Sequence, residues 1–183
     1  MNLLALASRD VGVAPTDFTP TGNFLGGTPT SQLKKFTKPN PHSKDLRKGR
    51  HSEINQIYLI TTVTENREPV FKNFQAARIL IRKLKKEQES GRADTLAFVV
   101  MPDHLHWLMQ LTSQTELAKI LQSVKTLSAK EIGKRFWEPG YHDHAFRKEE
   151  DVKAIARYIV ANPLRAGLVK RIGDYPHWDA LWL

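Results

Sequence analysis

The 183-residue sequence contains no cysteine. Disulfides, thiolate zinc sites and cysteine nucleophiles are therefore excluded, which is compatible with a reducing compartment. No run approaches the roughly 18 consecutive apolar residues of a membrane span. The opening MNLLALASRD has a short apolar patch but lacks the basic stretch that precedes it in a secretory signal. Acidic residues are scarce, 19 Asp and Glu against 28 Lys and Arg, leaving a net charge of +9. The first 33 residues lack any helical or strand period and are rich in Thr, Pro, Gly and Asn (TPTGNFLGGTPTSQ), the composition of a disordered or loosely attached leader.

The basic excess favours a polyanionic partner, nucleic acid first, because each phosphate neutralised releases counterions. Lys34, Lys35, Lys38, Lys44, Arg47, Lys48 and Arg50 stand against the single acid Asp45 in residues 34–50. That run is either simply solvated or an arm that grips phosphate, with Lys48 and Arg50 nearest the ordered chain. The expected division is a basic N-terminal leader or arm over residues 1–47 and one domain over 48–183.

Hydrophobic periodicity places the elements. QIYLITTVT (56–64) is β-branched and aromatic, a buried strand. A helix from about Asn73 to Ser90 keeps Phe74, Ala77, Leu80, Ile81 and Leu84 at helical spacing, and Gly91 ends it. A hairpin follows over 95–111. Ser113 and Glu116 form a capping-box pattern opening a second helix with Leu117, Ile120, Leu121 and Val124 inward. FWEPGYHDHAFR (136–147) holds a turn at Pro139-Gly140 and a short strand. A last helix runs from about Glu149 to Ala161, where Pro163 bars the preceding residue from helical geometry. Trp178 and Trp182 in the tail mark a docked apolar end, with base stacking as the alternative. The order predicts a ferredoxin-like α+β sandwich (β-α-β-β-α-β-α), an antiparallel sheet with helices on one face and the other face free.

The chemistry concentrates in VVMPDHLHWLMQL (99–111). A Pro102-Asp103 turn separates two apolar strands. In the second, Leu105, Trp107, Met109 and Leu111 share one face, while His104, His106 and Gln110 share the other with Leu108. The two imidazoles stand roughly 6–7 Å apart at Cα, close enough to reach one metal ion. Core residues already occupy the apolar face, so the histidines are not filler. In the last helix, at about 100° per residue, Val152, Ile155, Ala156 and Ile159 form the core stripe. Tyr158 lies about 130° from the centre of that stripe and Asn162 about 90° on the same side. Tyr158 is thus either a surface tyrosine or one set aside for use.

PDHLHWL, the WxxGYHDHAFR segment and ARYIVANPLRAGLV together resemble the single-tyrosine HUH transposases, and among them the REP-associated tyrosine transposases of bacteria. The resemblance runs from about Lys48 to the C-terminus. It implies that His104 and His106 are the HUH pair binding a divalent cation, that Tyr158 is the nucleophile, and that Asn162 is the third protein ligand. Insertion-sequence relatives carry a glutamine at that last position, whereas asparagine fits the REP-associated branch. The implied activity is cutting and rejoining of single-stranded DNA at palindromic hairpins through a 5′-phosphotyrosine. The implied cofactor is Mg²⁺ or Mn²⁺, with zinc also compatible with the ligands. The resemblance further implies a bacterial cytoplasmic, nucleoid-associated protein, monomeric or homodimeric. Arg147, Arg157 and Arg165 flank the expected site, with phosphate contact or a solvated role open for each. His142 and His144 form a second His-x-His, either beside the metal or DNA, or simply hydrogen-bonded in a strand. Two other readings stay open: a hairpin-DNA-binding module of the same fold without turnover, and a zinc hydrolase in which Tyr158 is incidental. The presence of all four of His104, His106, Tyr158 and Asn162 argues against a degenerate module.

Overall fold

The strand that carries the His pair lies at the centre of the molecule because it has apolar residues to bury on both faces. In the computed structural model, which describes residues 53–146 and 150–182, the elements in chain order are β1 (Ile57–Val63), α1 (Phe74–Glu89), β2 (Ala93–Met101), β3 (His104–Leu111), α2 (Leu117–Ile132), β4 (His142–Phe146), α3 (Glu150–Val160), the short α4 (Asn162–Arg165) and β5 (Trp178–Ala180). Among the described residues they form one five-stranded sheet in the order β4-β1-β3-β2-β5, with every pairing antiparallel. The expected α+β architecture and element order are borne out.

On one face, α1 and α2 cover the core. Leu105, Trp107, Met109 and Leu111 of β3 pack there with Tyr58 and Ile60 of β1, with Ala77, Leu80, Ile81 and Leu84 of α1, and with Leu117, Ile120, Leu121 and Val124 of α2. Trp107 is fully buried, and its indole N–H donates to Thr95 Oγ1 at 3.1 Å. Each such large apolar side chain contributes about 2–3 kcal/mol through burial alone. Asn73 caps α1, its Oδ1 accepting from the Ala76 N–H at 3.0 Å, and α2 ends on Gly133 at φ +87°.

Three local expectations are corrected. The sheet's second face is not free: α3 lies across it, and Val152, Ile155, Ala156, Ile159 and Val160 pack on Leu59, Leu96, Ala97, Val99, Met101 and Leu108. The reason is β2, whose run from Leu96 to Met101 is apolar on both sides and needs cover on both. The capping box does not form. Ser113 Oγ instead accepts from the Thr115 N–H, and α2 starts at Leu117 with Glu116 as an N-cap that makes no side-chain bond. Phe74 is half-exposed rather than in the stripe, its ring set 5.2 Å from that of His177.

The C-terminal segment adds an element not expected as a strand. Trp178–Ala180 pairs with Val99–Ala97 at the edge of β2, so the tail is docked by backbone ladder and by the side chains of Trp178 and Ala180, whereas Trp182, expected in the docked end, is exposed. Pro163 also behaves differently from expectation. It sits buried in the first turn of α4, where its missing N–H costs nothing. The chain passes from α3 into α4 through Ala161, whose φ −76° and ψ −2° keep it nearly helical. Among the described residues, no helix is long and apolar enough to cross a membrane.

Candidate active site

β3 places His104 and His106 two residues apart on the face that α3 covers, and their rings stand 4.8 Å apart, edge to face at 84°. Paired residues of adjacent strands project to the same side, so the β1 register puts Thr61 beside His106. Thr61 Oγ1 lies 2.9 Å from His106 Nδ1. His104 Nδ1 lies 2.5 Å from Asp103 Oδ1, and the other oxygen of that carboxylate accepts from Arg67 Nη1 at 3.3 Å. Both Nδ1 atoms thus face a protein oxygen: Asp103, which only accepts, leaves the Nε2 lone pair of His104 for a ligand, and Thr61 leaves that of His106 when its hydroxyl accepts.

The electrostatics keep the pair neutral. Burial, reinforced by His104, Arg165 and Arg67, pushes His106 down to about 3. Burial also lowers His104, against the raising influence of Asp103. Asp103 itself is held below the usual carboxylate range: its partial burial alone would raise it, and His104 and Arg67 together outweigh that. Neutral imidazoles are the form that binds a metal ion.

Tyr158 comes to the same side from α3, on the flank of the helix and half-buried against the α3-side core. The guanidinium of Arg165 lies 3.5 Å from its ring centre. Arg165 also donates to the Tyr158 carbonyl at 3.3 Å and to Asn162 Oδ1 at 2.7 Å. Asn162 Nδ2 is buried with no hydrogen-bond partner. An amide oxygen has two lone pairs, so accepting from Arg165 leaves one for a cation. Arg165 is the group that ties the site together, since its charge is felt at His106 while its side chain grips Tyr158 and Asn162.

The other tyrosines have different duties. Tyr58 is in the core under α1 and α2, and Tyr141 packs against that core. Tyr175 donates its hydroxyl to the Val100 carbonyl at 2.7 Å, and burial, with a smaller contribution from Asp103, pushes it up to about 12. Tyr158 is the tyrosine on the His-pair side whose hydroxyl is not committed to the backbone ladder in this way.

His142 and His144 project to the same face from β4, in register with Thr61 and Leu59. His142 therefore shares a row with Thr61 and His106, while the ring of His144 packs edge-on against Phe146 at 4.5 Å. Arg157 is exposed on α3, and the contacts that join Tyr158 to its neighbours run through Arg165 instead. Lys48, Arg50 and Arg147 lie outside the described residues. Asp103, Thr61 and Arg67 were not anticipated. The adjacency of Asp103 to His104 was a usable signal, whereas Thr61 depends on strand register.

Comparison with known proteins agrees with this geometry. The family described as "Transposase IS200 like" matches residues 52–162, a span that begins just before β1, ends on Asn162 and includes both histidines and Tyr158. That span is more than half of the chain, and the chain belongs to this family. Within it the similarity runs to the REP-associated tyrosine transposases. One from Escherichia coli is 29% identical over 105 residues, covering 56% of this chain and 62% of the relative. A putative one from Haemophilus influenzae is 26% identical over 100 residues, covering 46% and 57%. The chain thus matches less than two thirds of the length of these curated relatives. The solved structure of a REP-associated tyrosine transposase bound to a REP hairpin aligns with TM-score 0.63 at 24% identity, over 70% of this chain and 79% of that one, a likeness of fold.

Proposed function

We propose that the protein is a metal-dependent endonuclease and strand transferase for single-stranded DNA, acting at palindromic hairpins of the repetitive extragenic type through a 5′-phosphotyrosine intermediate. The observation that carries this reading is the convergence on one face of a neutral His pair with free Nε2 atoms and a tyrosine held by Arg165. The names of the similar proteins, transposases of REP elements, and the hairpin bound in the similar structure support the substrate class.

The donor set fits a divalent cation: two imidazole Nε2 atoms from His104 and His106 and the Oδ1 of Asn162. Mg²⁺ or Mn²⁺ suits such a mixed set with open positions for water and phosphate. When bound there, the cation would neutralise the non-bridging phosphate oxygens and stabilise the departing 3′-oxygen as a Lewis acid. Tyr158 Oη would attack the phosphorus as the P–O3′ bond breaks. The phenol proton passes to water and the leaving oxygen takes one up, giving a free 3′-OH and a DNA 5′-end esterified to Tyr158. Because the phosphoester bond is conserved in the intermediate, attack by a 3′-OH reverses the step and rejoins strands. Arg165 keeps the phenol ring from rotating away and lends positive charge beside the phosphate.

The test is incubation of a labelled hairpin oligonucleotide with Mn²⁺ or Mg²⁺, resolved on a denaturing gel. A protein-linked band that disappears in Tyr158→Phe and in EDTA is the expected result. Cleavage that persists in Tyr158→Phe with no linked band would assign the chemistry to activated water and overturn the mechanism. Tight, salt-sensitive binding with no cleavage of any hairpin would reduce the protein to a binding module.

A further inference from the structure

We propose that Asp103 is a positioning residue that fixes the tautomer and ring orientation of His104, so that one of the two metal-binding imidazoles is preset before any cation arrives. This rests on the metal-site reading above and adds a residue to it.

The two Nδ1 atoms face different kinds of partner. Asp103 Oδ1 lies 2.5 Å from His104 Nδ1. A carboxylate only accepts, so His104 must carry its proton on Nδ1 and present the lone pair of Nε2. The Thr61 hydroxyl beside His106 is ambiguous by comparison, because it both donates and accepts. If it donates to Nδ1, the His106 proton moves to Nε2 and the ligand atom is lost. Asp103 is thus the one partner that sets the outcome for its histidine, as carboxylates do behind metal-bound imidazoles in general.

The carboxylate is itself held from two sides. Arg67 Nη1 donates to Oδ2 at 3.3 Å. The backbone of the turn is anchored separately, with the Asp103 carbonyl accepting from the Thr64 N–H at 2.9 Å and from Thr64 Oγ1 at 2.8 Å. The Pro102 carbonyl accepts from the Phe71 N–H at 2.9 Å. Thr64 is fully buried. Removing the Asp103 side chain therefore leaves the turn clamped by its backbone and deletes the partner of His104 together with the exposed Arg67 ion pair.

Two readouts on the 183-residue chain test this, the imidazole ¹⁵N shifts of His104 and the Mn²⁺ affinity by calorimetry. Each is measured for wild type, Asp103→Asn and Asp103→Ala, with melting curves as a folding control. Wild type is expected to show the Nδ1–H tautomer. Asp103→Ala should show mixed tautomers and bind Mn²⁺ about 10–100-fold more weakly. Asp103→Asn, whose amide oxygen still accepts, should fall between them. A His104 tautomer unchanged in Asp103→Ala overturns the proposal, even if affinity or melting temperature drops. If wild type binds no Mn²⁺, the metal reading fails separately, and the ¹⁵N shifts alone decide the role of Asp103.

Discussion

The guanidinium of Arg165 stands over the ring of Tyr158, 3.5 Å from its centre, and from there reaches Asn162 Oδ1 at 2.7 Å. One planar cation thereby holds the proposed nucleophile and the proposed third ligand in a fixed relation, although they sit on two different helices.

Lysine cannot reproduce this arrangement, because its ammonium neither stacks flat nor donates in two directions from one plane. Arg165→Lys should slow formation of the tyrosine–DNA adduct about tenfold at saturating hairpin, the worth of a partly desolvated cation–π contact. Single-turnover gels over a salt series check it. A residue that only touched phosphate would instead weaken binding and lower the salt slope by about one.

Among the described residues, Thr61 is the side chain bonded to His106 Nδ1, across the β1–β3 pairing. Thr61→Val keeps the β-branched shape and deletes the hydroxyl. Mn²⁺ affinity should drop about tenfold, the low end expected for losing a partner behind a metal-bound imidazole. Calorimetry with unchanged melting temperature would verify the effect as local.

Acid should destabilise the fold through buried histidines. His177 is pushed down to about 4, by burial first and by Arg78 second, and His106 to about 3, both from an ordinary 6.5. With folded values depressed, the unfolded chain binds more protons below pH 6.5. Their stabilising contribution is therefore whole above that pH and is lost progressively as pH falls below 6.5, down to about 4 for His177 and about 3 for His106. Urea midpoints measured in EDTA should decline over that window. His177→Phe, which retains a ring between Phe74 and Tyr175, should make the decline shallower by up to about 1.4 kcal/mol per pH unit.

Glu87, in the last turn of α1, is a buried carboxylate facing α2, paired with Arg92 at 2.7 Å and accepting from Ser123 Oγ at 2.9 Å. Arg92→Ala strands the charge and should cost about 3 kcal/mol of stability, read by urea unfolding. Mn²⁺ affinity should stay at the wild-type value, since the pair lies on the opposite side of the sheet from the His face.

Much of the site was legible because it is written in local periods. The alternation in β3 assigns Leu105, Trp107, Met109 and Leu111 to one side and His104, His106, Leu108 and Gln110 to the other, and the structure has them so. The off-stripe angle of Tyr158 likewise held, with Val152, Ile155, Ala156 and Ile159 in the core and Tyr158 on the flank. Less visible was the second cover of the sheet. The doubly apolar run of β2 signalled it, but the run by itself did not say which helix would supply the cover. The capping pattern at Ser113 failed because a local motif competes with where α2 must begin in order to pack Leu117.

The sequence by itself determined the periodicities and with them the faces, the basic charge, the absence of thiol chemistry and the spacing of the two histidines. These depend on backbone geometry that repeats every two or 3.6 residues. Only the tertiary structure decided that Thr61, 45 residues before His106, is its partner, that Arg67 braces Asp103, and that Arg165 joins Tyr158 to the His face. Those relations follow from strand register and from the side of the sheet on which α3 docks, and both are set by burial summed over the whole core rather than by any local run of residues.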